Sequence, residues 1–382
     1  MLRSRLFMVA MAASSLGLIA VGCGDDPTNT PTPAEKPGIQ PPAAGPETAC
    51  TGEAVTLAVS KIYLGDTNRD GTPNIKEGWK QFGYDLDGRV STKASTGLCK
   101  PQAGTSPAAV YPDGNEGIDN SFGKNILPTI NNLAMGVSGQ ANEAIAAGEF
   151  TIMLNMDGVG TSADCNPVMT RLYGGGELGM TPKWDGTDPW PLLPELLKDA
   201  NDPTSAKITF PESYIVGNTW VSGNKGTVTL ALSISGFTVS LNINSAVISV
   251  ELDGEHKSGT KGTIAGVLDT EELLKEITKV AAGLSDQFCD PNSPTLQGIL
   301  DQLRGASDIM KDGTQNADAT CDGISIGIGF DAKAVQLGPV APPAGPPSDP
   351  CAGEGGAGGA GGAGGAGGAG GGMGGGGGVG GK

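Results

Sequence analysis

Oxygen-bearing residues in one short segment have the spacing of a cation-binding loop. Residues 66–77 fill every specified position of the pattern D-x-[DN]-x-[DN]-G-x5-E, in which alternate oxygens converge on one point. The ligands predicted by this pattern are Asp66, Asn68, Asp70, the Thr72 carbonyl and Glu77. Such hard oxygen ligands favour Ca²⁺ over Mg²⁺, and we expect a structural calcium ion here. The alternative is an acidic surface turn that binds no ion.

Two later stretches also hold carboxylates close together in the sequence. Residues 85–88 read Asp-Leu-Asp-Gly, and residues 113–120 read Asp-Gly-Asn-Glu-Gly-Ile-Asp-Asn. Carboxylates spaced in this way around glycines can converge on a cation, but neither stretch matches a complete cation-binding pattern. Each is more typical of a β-turn or an Asx-turn.

A loop between two tryptophans is the best candidate for ligand contact. It contains Trp184, Asp185, Asp188 and Trp190, whose indole rings and carboxylates suit contact with a glycan. A glycan hydrolase with paired carboxylates is therefore the alternative function, and it requires two carboxylates roughly 5–9 Å apart in a tryptophan-walled cleft. The competing interpretation is that the same tryptophans pack in the core.

Other signatures of catalytic chemistry are missing from the sequence. It contains no G-x-S-x-G, no H-E-x-x-H and no phosphate-binding loop with a Lys-Ser/Thr pair. Its one histidine, His256, lies in the charged stretch 251–261, which predicts a solvated turn rather than a general base. We therefore expect a protein that is not an enzyme, and that binds a glycan or an envelope protein or serves as a structural component of the surface.

The N-terminus has the organisation of an export signal. Arg3 and Arg5 precede an apolar run over residues 6–21, which is too short and too rich in small residues to favour a stable membrane span. The run ends in Ala20-Val21-Gly22-Cys23, an order that resembles the lipobox of bacterial lipoproteins. The resemblance implies that Cys23 is acylated and anchors the protein in the cell envelope. We expect the outer membrane or cell surface rather than the inner membrane, a choice that Gly24 and Asp25 do not decide by themselves. Cleavage without lipidation and an uncleaved helix are the alternatives.

Two further segments resemble known families. Residues 66–77 are similar to the calcium loop of the EF-hand family and of its extracellular relatives, the dockerin and thrombospondin repeats. Pro73 replaces the usual β-branched residue, so the resemblance implies a single ion site and not a paired helix-loop-helix. Cys23-Gly24-Asp25-Asp26 and the Gly-Gly-Ala repeats near the C-terminus resemble a Gly-tailed family of lipoproteins from gliding soil bacteria, a likeness that implies no activity.

Charge and cysteine content restrict the partners and the compartment. The net charge of −17 repels phosphate backbones, so we expect no nucleic-acid partner. Besides Cys23, an even number of cysteines permits three disulfides in an exported chain. These candidates are Cys50, Cys99, Cys165, Cys289, Cys321 and Cys351. Pairing of Cys50 with Cys351, or of each with a nearby cysteine, would fasten the ends of the folded region, and the spacings argue against a structural zinc site.

Composition and periodicity predict the organisation that must position these residues. Residues 1–22 form the signal peptide, residues 23–50 a lipid-anchored Pro-rich linker, residues 51–337 a β-rich globular domain, and residues 338–382 a disordered Pro- and Gly-rich tail. Alternating apolar residues predict strands beginning near residues 55, 150, 228, 237, 246 and 324, and helical spacing predicts helices near 126–134, 140–147, 271–281 and 295–309. The predicted class is mainly β with inserted helices (α+β), on an antiparallel sheet that a β-sandwich would accommodate.

Overall fold

The fold is given by a computed structural model, which describes residues 36–133, 136–234, 237–343 and 351. The predicted signal peptide, the predicted acylation site Cys23 and the Gly-rich repeats lie outside these residues. No helix within the described ranges is long and apolar enough to cross a membrane.

Short runs of alternating apolar and small residues form the strands, as expected for side chains that point to opposite faces in turn. The strands are β1 (Val55–Tyr63), β2 (Thr151–Met156), β3 (Cys165–Gly175), β4 (Pro189–Leu192), β5 (Ile208–Val216), β6 (Thr219–Val221), β7 (Gly226–Ile234), β8 (Phe237–Leu252), β9 (Ser258–Asp269), β10 (Gly323–Ala334) and β11 (Gln336–Val340).

Eight of these strands close into a barrel, in the order β1-β10-β9-β8-β6-β5-β3-β2. All neighbours in the ring are antiparallel, and the ring closes where Thr170 of β3 pairs with Phe210 of β5. β7 pairs with β8 outside the ring. β4 pairs antiparallel with the end of β3, at Gly175 and Leu192, and in parallel with β11. The predicted class, mainly β with inserted helices, is confirmed, and the sheet closes on itself instead of stacking as a sandwich.

β8 corresponds to two of the predicted strands. Its register against β9 shifts between Asn244 and Val247, and Ser245 has a φ of 49°. A bulge of this kind adds a residue and bends the strand without ending it. The polar interruption that predicted a turn between two strands is therefore a bulge within one.

Apolar side chains fill the barrel. Leu57, Ile264 and Phe330 are at most 2% exposed, and the space left among them and their neighbours is about 10 Å³. This volume is near the lower limit for one water molecule. The interior is therefore a packed core.

The helices pack against the strands of the sheet. They are α1 (Pro107–Val110), α2 (Leu127–Leu133), α3 (Val137–Ala147), α4 (Thr270–Leu284) and α5 (Pro294–Arg304), with a π-helical turn at Phe122–Ile126 and 3-10 turns at Gly78–Gln81, Asn115–Gly117, Pro194–Leu196 and Asp286–Phe288. The Asp269 carboxylate caps α4, since it accepts hydrogen bonds from the backbone N–H groups of Glu271 and Glu272. α3 packs against β1 and β7, and α4 packs against β8 and α5.

All six candidate cysteines form disulfides, which are Cys50–Cys165, Cys99–Cys321 and Cys289–Cys351. The suggested pairing of Cys50 with Cys351 is wrong, because each of these two is joined to a different part of the domain. Three disulfides are typical of proteins that fold in an oxidising, extracytoplasmic compartment.

Contacts of the domain extend beyond the predicted boundaries at residues 51 and 337. Within the predicted linker, Ile39 N–H donates to the Glu116 carbonyl (2.8 Å) and the Ile39 carbonyl accepts from Asp85 N–H (3.0 Å). At the other end β11 continues to Val340, which pairs with β4. The segment from residue 36 onward is therefore in contact with the folded domain.

Candidate functional site

Three aspartates from two loops converge beside the barrel wall. Asp85 and Asp87 follow the 3-10 turn Gly78–Gln81, and Asp119 follows the turn Asn115–Gly117. One carboxylate oxygen from each lies within 4.8 Å of the others, an arrangement that could hold a metal ion. In the described part of the chain, no other three Asp, Glu, His or Cys side chains meet in this way. We call these three residues the acidic cluster.

Apolar neighbours fix the first loop of the cluster. Tyr84 and Leu86 are buried against the outer face of β8 and β9, next to Val247. Leu86 N–H donates to the Asp119 carboxylate (2.7 Å), and Asp119 N–H donates to the Tyr84 carbonyl (3.0 Å). The two loops are therefore crosslinked by hydrogen bonds at the place where their carboxylates meet.

The side-chain amide of Asn120 fixes the second loop on the barrel. It donates to the carbonyls of Trp79, Phe82 and Gly327, at 3.0–3.1 Å, and its oxygen accepts from Gly327 N–H (3.1 Å). Gly327 lies in β10. Asp119 is consequently fixed in position, because the next residue, Asn120, is hydrogen-bonded to the sheet.

Several N–H groups donate to the carboxylates of the cluster. Asp85, only 2% exposed, accepts from the backbone N–H groups of Gly38 (2.6 Å) and Gly88 (2.7 Å). Asp87 accepts from the side-chain amide of Gln315 (2.9 Å). These donors stabilise negative charge, and the remaining lone pairs of each carboxylate face a site rich in other carboxylates.

Burial and mutual repulsion oppose the ionisation of this site. Burial, together with the nearby Asp85 carboxylate, raises the pKa of Asp87 to about 6. Burial and repulsion from Asp113 raise the pKa of Asp119 well above its ordinary value. The flanking carboxyls behave likewise, since burial raises the pKa of Asp113 to about 8 and that of Asp308 to about 7. Near neutral pH the carboxyl of Asp113 and, in part, that of Asp308 therefore retain protons, which a cation bound beside them would displace.

Two polar groups flank the outer part of the site. The Lys124 ammonium donates to the Pro112 carbonyl (2.9 Å), and its charge favours the ionised form of Asp308. The Ser91 hydroxyl is buried without a hydrogen-bond partner among the described residues, while its backbone N–H donates to the Asp113 carboxylate (2.5 Å). An unsatisfied buried hydroxyl costs free energy that an additional ligand or water would recover.

The predicted calcium loop has a different local structure. Asp66 accepts a hydrogen bond from the Ser138 hydroxyl (2.6 Å), and Glu77 forms an exposed ion pair with Lys80 (2.6 Å). The structure does not bring the carboxylates of Asp66, Asp70 and Glu77 within 4.8 Å of one another.

The other predicted ligands of this loop bond to neighbouring protein groups. Asp70 accepts from the backbone N–H (2.8 Å) and the hydroxyl (2.6 Å) of Thr72, and the Thr72 carbonyl accepts from Asn68 N–H (2.8 Å). The Asn68 side-chain oxygen accepts from the Gln81 amide (2.6 Å). These bonds close a compact turn, and calcium binding there stays a prediction.

The tryptophan loop is held mainly by buried groups. Trp190 is fully buried and its indole N–H donates to the Gly176 carbonyl (2.7 Å). The Asp188 carboxylate, also buried, accepts from the backbone N–H groups of Lys183 (3.0 Å) and Trp184 (2.8 Å). Trp190 and Asp188 therefore present no surface to a glycan. Contact of a ligand with the half-buried Trp184 and the exposed Asp185 stays a prediction.

The expectation that His256 lies in a solvated turn is wrong. Its ring is 1% exposed, although its neighbours Glu255 and Lys257 form an ion pair on the surface. The charged neighbours dominate the sequence pattern, whereas the ring itself turns inward.

Sequence reasoning found parts of the acidic site but not their combination. The stretches containing Asp85, Asp87 and Asp119 stood out for their carboxylates and glycines, but nothing local showed that they meet. Asp308 and Gln315 lie in no recognisable pattern and join the site only through the tertiary fold.

A disulfide-crosslinked, closed antiparallel β-barrel with a buried acidic cluster on its outer wall is the class of protein that these observations define. Comparison of the chain with protein-family models, with curated proteins and with solved structures gave no match.

Proposed function

We propose that the protein is an envelope lipoprotein, anchored through Cys23, whose barrel domain is stabilised by a divalent cation at Asp85, Asp87 and Asp119. The convergence of these three carboxylates, of which Asp85 and Asp119 are buried and Asp87 is half-buried, is the observation that carries the proposal. The role is structural and not catalytic, and the exposed surface of the domain serves to contact a glycan or an envelope protein.

The charge of the site favours a bound cation. Three carboxylates in a poorly solvated site repel one another, and Lys124 interacts with the flanking Asp308 and Asp113. A divalent cation neutralises this repulsion and uses the free lone pairs of all three carboxylates. Carboxylate oxygens favour Ca²⁺, and an exported protein can use a site of modest affinity because such extracellular modules bind Ca²⁺ in the range of about 0.1–1 mM.

A bound cation would also join separate parts of the chain. Asp85 bonds to Gly38 near the N-terminal end of the described domain, and Asp87 bonds to Gln315 near its C-terminal end. A cation shared with Asp119 would therefore connect three segments that are far apart in sequence. Its loss would weaken the attachment of all three.

Thermal melting of the full chain tests the proposal. We expect Ca²⁺ at 100 times its Kd to stabilise the protein by about 2.7 kcal/mol, a rise of several degrees that chelator reverses. Mg²⁺ should produce a smaller rise, because it demands a more regular set of ligands.

Two matched variants locate the ion. Asp119→Asn should abolish the rise in Tm on adding Ca²⁺, while Asp70→Asn, in the loop 66–77, should preserve it. The opposite result would place the ion in that loop and overturn the assignment to the acidic cluster. Absence of any Ca²⁺-dependent shift in the parent chain would remove the cation from the proposal altogether.

A further inference from the structure

The one histidine of the chain occupies an unusual environment. The His256 ring is 1% exposed, and neither of its nitrogens has a hydrogen-bond partner among the described residues. Its backbone has a φ of 54°, a left-handed conformation that non-glycine residues adopt rarely. A buried, unsatisfied imidazole in a strained turn lowers stability, and such features cluster at sites that switch.

His256 lies where three segments meet. It belongs to the connection between β8 and β9, and its ring lies against the backbone of Gly160, in the connection between β2 and β3. Gly160 N–H in turn donates to the Glu53 carbonyl (3.0 Å), just before β1 begins. Gly160 also packs so closely on Gly52 that a Cβ added at Gly52 would lie 2.5 Å from its Cα. The ring thus supports the place where the N-terminal segment enters the barrel.

The charged groups around the ring are engaged with other partners or exposed to solvent. Asp253 is the charged residue that acts on it, but its carboxylate already accepts from Glu255 N–H, Lys257 N–H and the Ser258 hydroxyl. Glu53, in the segment that meets Gly160, is exposed to solvent. The other charged side chains nearby form ion pairs. They are Glu255 with Lys257 in the same turn, Lys261 with Glu251 on the adjoining strands, and Asp157 with Arg171 across the contact.

We propose that His256 is a pH-sensitive latch, which holds the β8–β9 turn against Gly160 while it is neutral and releases the turn when it is protonated. Protonation would place a charge and a second N–H donor on a buried ring; the Gly160 backbone and the Asp253 carboxylate favour the charged form, but burial outweighs them and disfavours it. The ring must then move into solvent, which removes the support of Gly160 and loosens the entry of the segment 50–53. Mild acidification would therefore open this end of the domain without unfolding the barrel.

The sign of the pH effect follows from burial. Burial lowers the pKa of His256, so the unfolded chain binds a proton at a higher pH than the folded chain does. The stability contributed by neutral His256 is present above its ordinary pKa of about 6.5 and is lost as the pH falls.

Hydrogen exchange and NMR titration of the full chain test the latch. Since the chain has one histidine, its ring signals report the pKa without ambiguity, and we expect a value below 6.5. Between pH 7.5 and pH 5, after correction for intrinsic rates, amide exchange in residues 253–258 and 157–162 should rise about tenfold or more, as local opening becomes more favourable.

His256→Phe is the matched variant, because it keeps a buried ring but cannot be protonated. We expect its exchange in both turns to change less than about twofold over the same pH range. Lys257→Ala, at the exposed neighbour, should behave like the parent chain. An ordinary histidine pKa, or an unchanged pH response in His256→Phe, would overturn the latch. A variant that fails to fold leaves the NMR titration of the parent chain as the deciding measurement.

Discussion

Asp113 shows most clearly how single residues of the acidic site respond to their surroundings. Burial raises its pKa, while the Ser91 N–H that donates to it favours the charged form. Burial dominates, so the folded protein binds a proton at Asp113 that the unfolded chain has already released at neutral pH.

The stability of the apo protein should therefore fall as the pH rises from 6.5 to 8.5. In this window Asp308 and Asp113, with pKa values of about 7 and 8, lose protons in the folded state, whereas unfolded aspartates are already ionised. Urea unfolding at several pH values measures the effect. Asp113→Asn should reduce the fall, and saturating Ca²⁺ should suppress it, since the cation replaces the protons.

The exposed Asp185 provides the control for this pH dependence, because Asp185→Asn should leave the fall unchanged. A free energy of unfolding that rises from pH 6.5 to 8.5 would contradict the burial of ionisable carboxyls at the site. His256 acts in the opposite direction near pH 6.5, because burial lowers the pKa of the folded ring while the unfolded ring still binds protons there, and this effect fades as the pH rises.

At the scale of secondary-structure elements, the close contact of β10 with the turn that contains Phe82 determines where the acidic cluster lies. In β10, a Cβ added at Gly327 would lie 2.1 Å from the Phe82 carbonyl oxygen, and Asn120 hydrogen-bonds to Gly327 on the same side. Only a residue without a side chain allows the turn that precedes Asp85 to rest directly on the barrel.

Gly327→Ala should consequently destabilise the protein by about 1–3 kcal/mol through overpacking. The matched control is Gly298→Ala in α5, where an added Cβ meets nothing within 4 Å and where alanine favours the helix by about 0.5–1 kcal/mol. Chemical denaturation distinguishes the two. Equal effects of the two substitutions would show that Gly327 is not a contact point.

Local patterns predicted elements but not their assembly. The alternation around Val228 and Ile324 identified strands, and the apolar spacing over residues 271–281 identified α4, because these signals lie within a few residues. Pairing of β3 with β5 closes the barrel through contacts some 40 residues apart, which alternation does not encode. The acidic cluster could not be predicted for the same reason, because Asp119 meets Asp85 only when both loops pack on the barrel.

Disulfides connect distant segments at the scale of the whole molecule. Cys99–Cys321 spans 222 residues and Cys289–Cys351 spans 62. The longer link also supports the acidic cluster, because Gln315 accepts from Cys99 N–H (2.9 Å) while donating to Asp87.

Replacing Cys99 and Cys321 together by serine should therefore cost more stability than replacing Cys289 and Cys351, with each loss on the order of 2–5 kcal/mol. The first pair should also reduce the rise in Tm on adding Ca²⁺, whereas the second should not. Melting curves with and without Ca²⁺ measure both quantities. A full calcium response without Cys99–Cys321 would show that Gln315 does not depend on this link.

The placement of Cys289–Cys351 determines how the domain would carry mechanical load. Tension applied along residues 352–382 reaches the domain at Cys351 and passes through sulfur to Cys289, between the turn Asp286–Phe288 and α5. The short edge strand β11 is thereby bypassed and is not peeled from β4. At the opposite end a pull from the N-terminus first loads the hydrogen bonds of Ile39 and Thr48 with the domain, and Cys50–Cys165 then transmits it to β3, which is hydrogen-bonded within the ring. A force that pulls the two ends of the chain apart would thus act on the domain through two disulfides, Cys50–Cys165 and Cys289–Cys351.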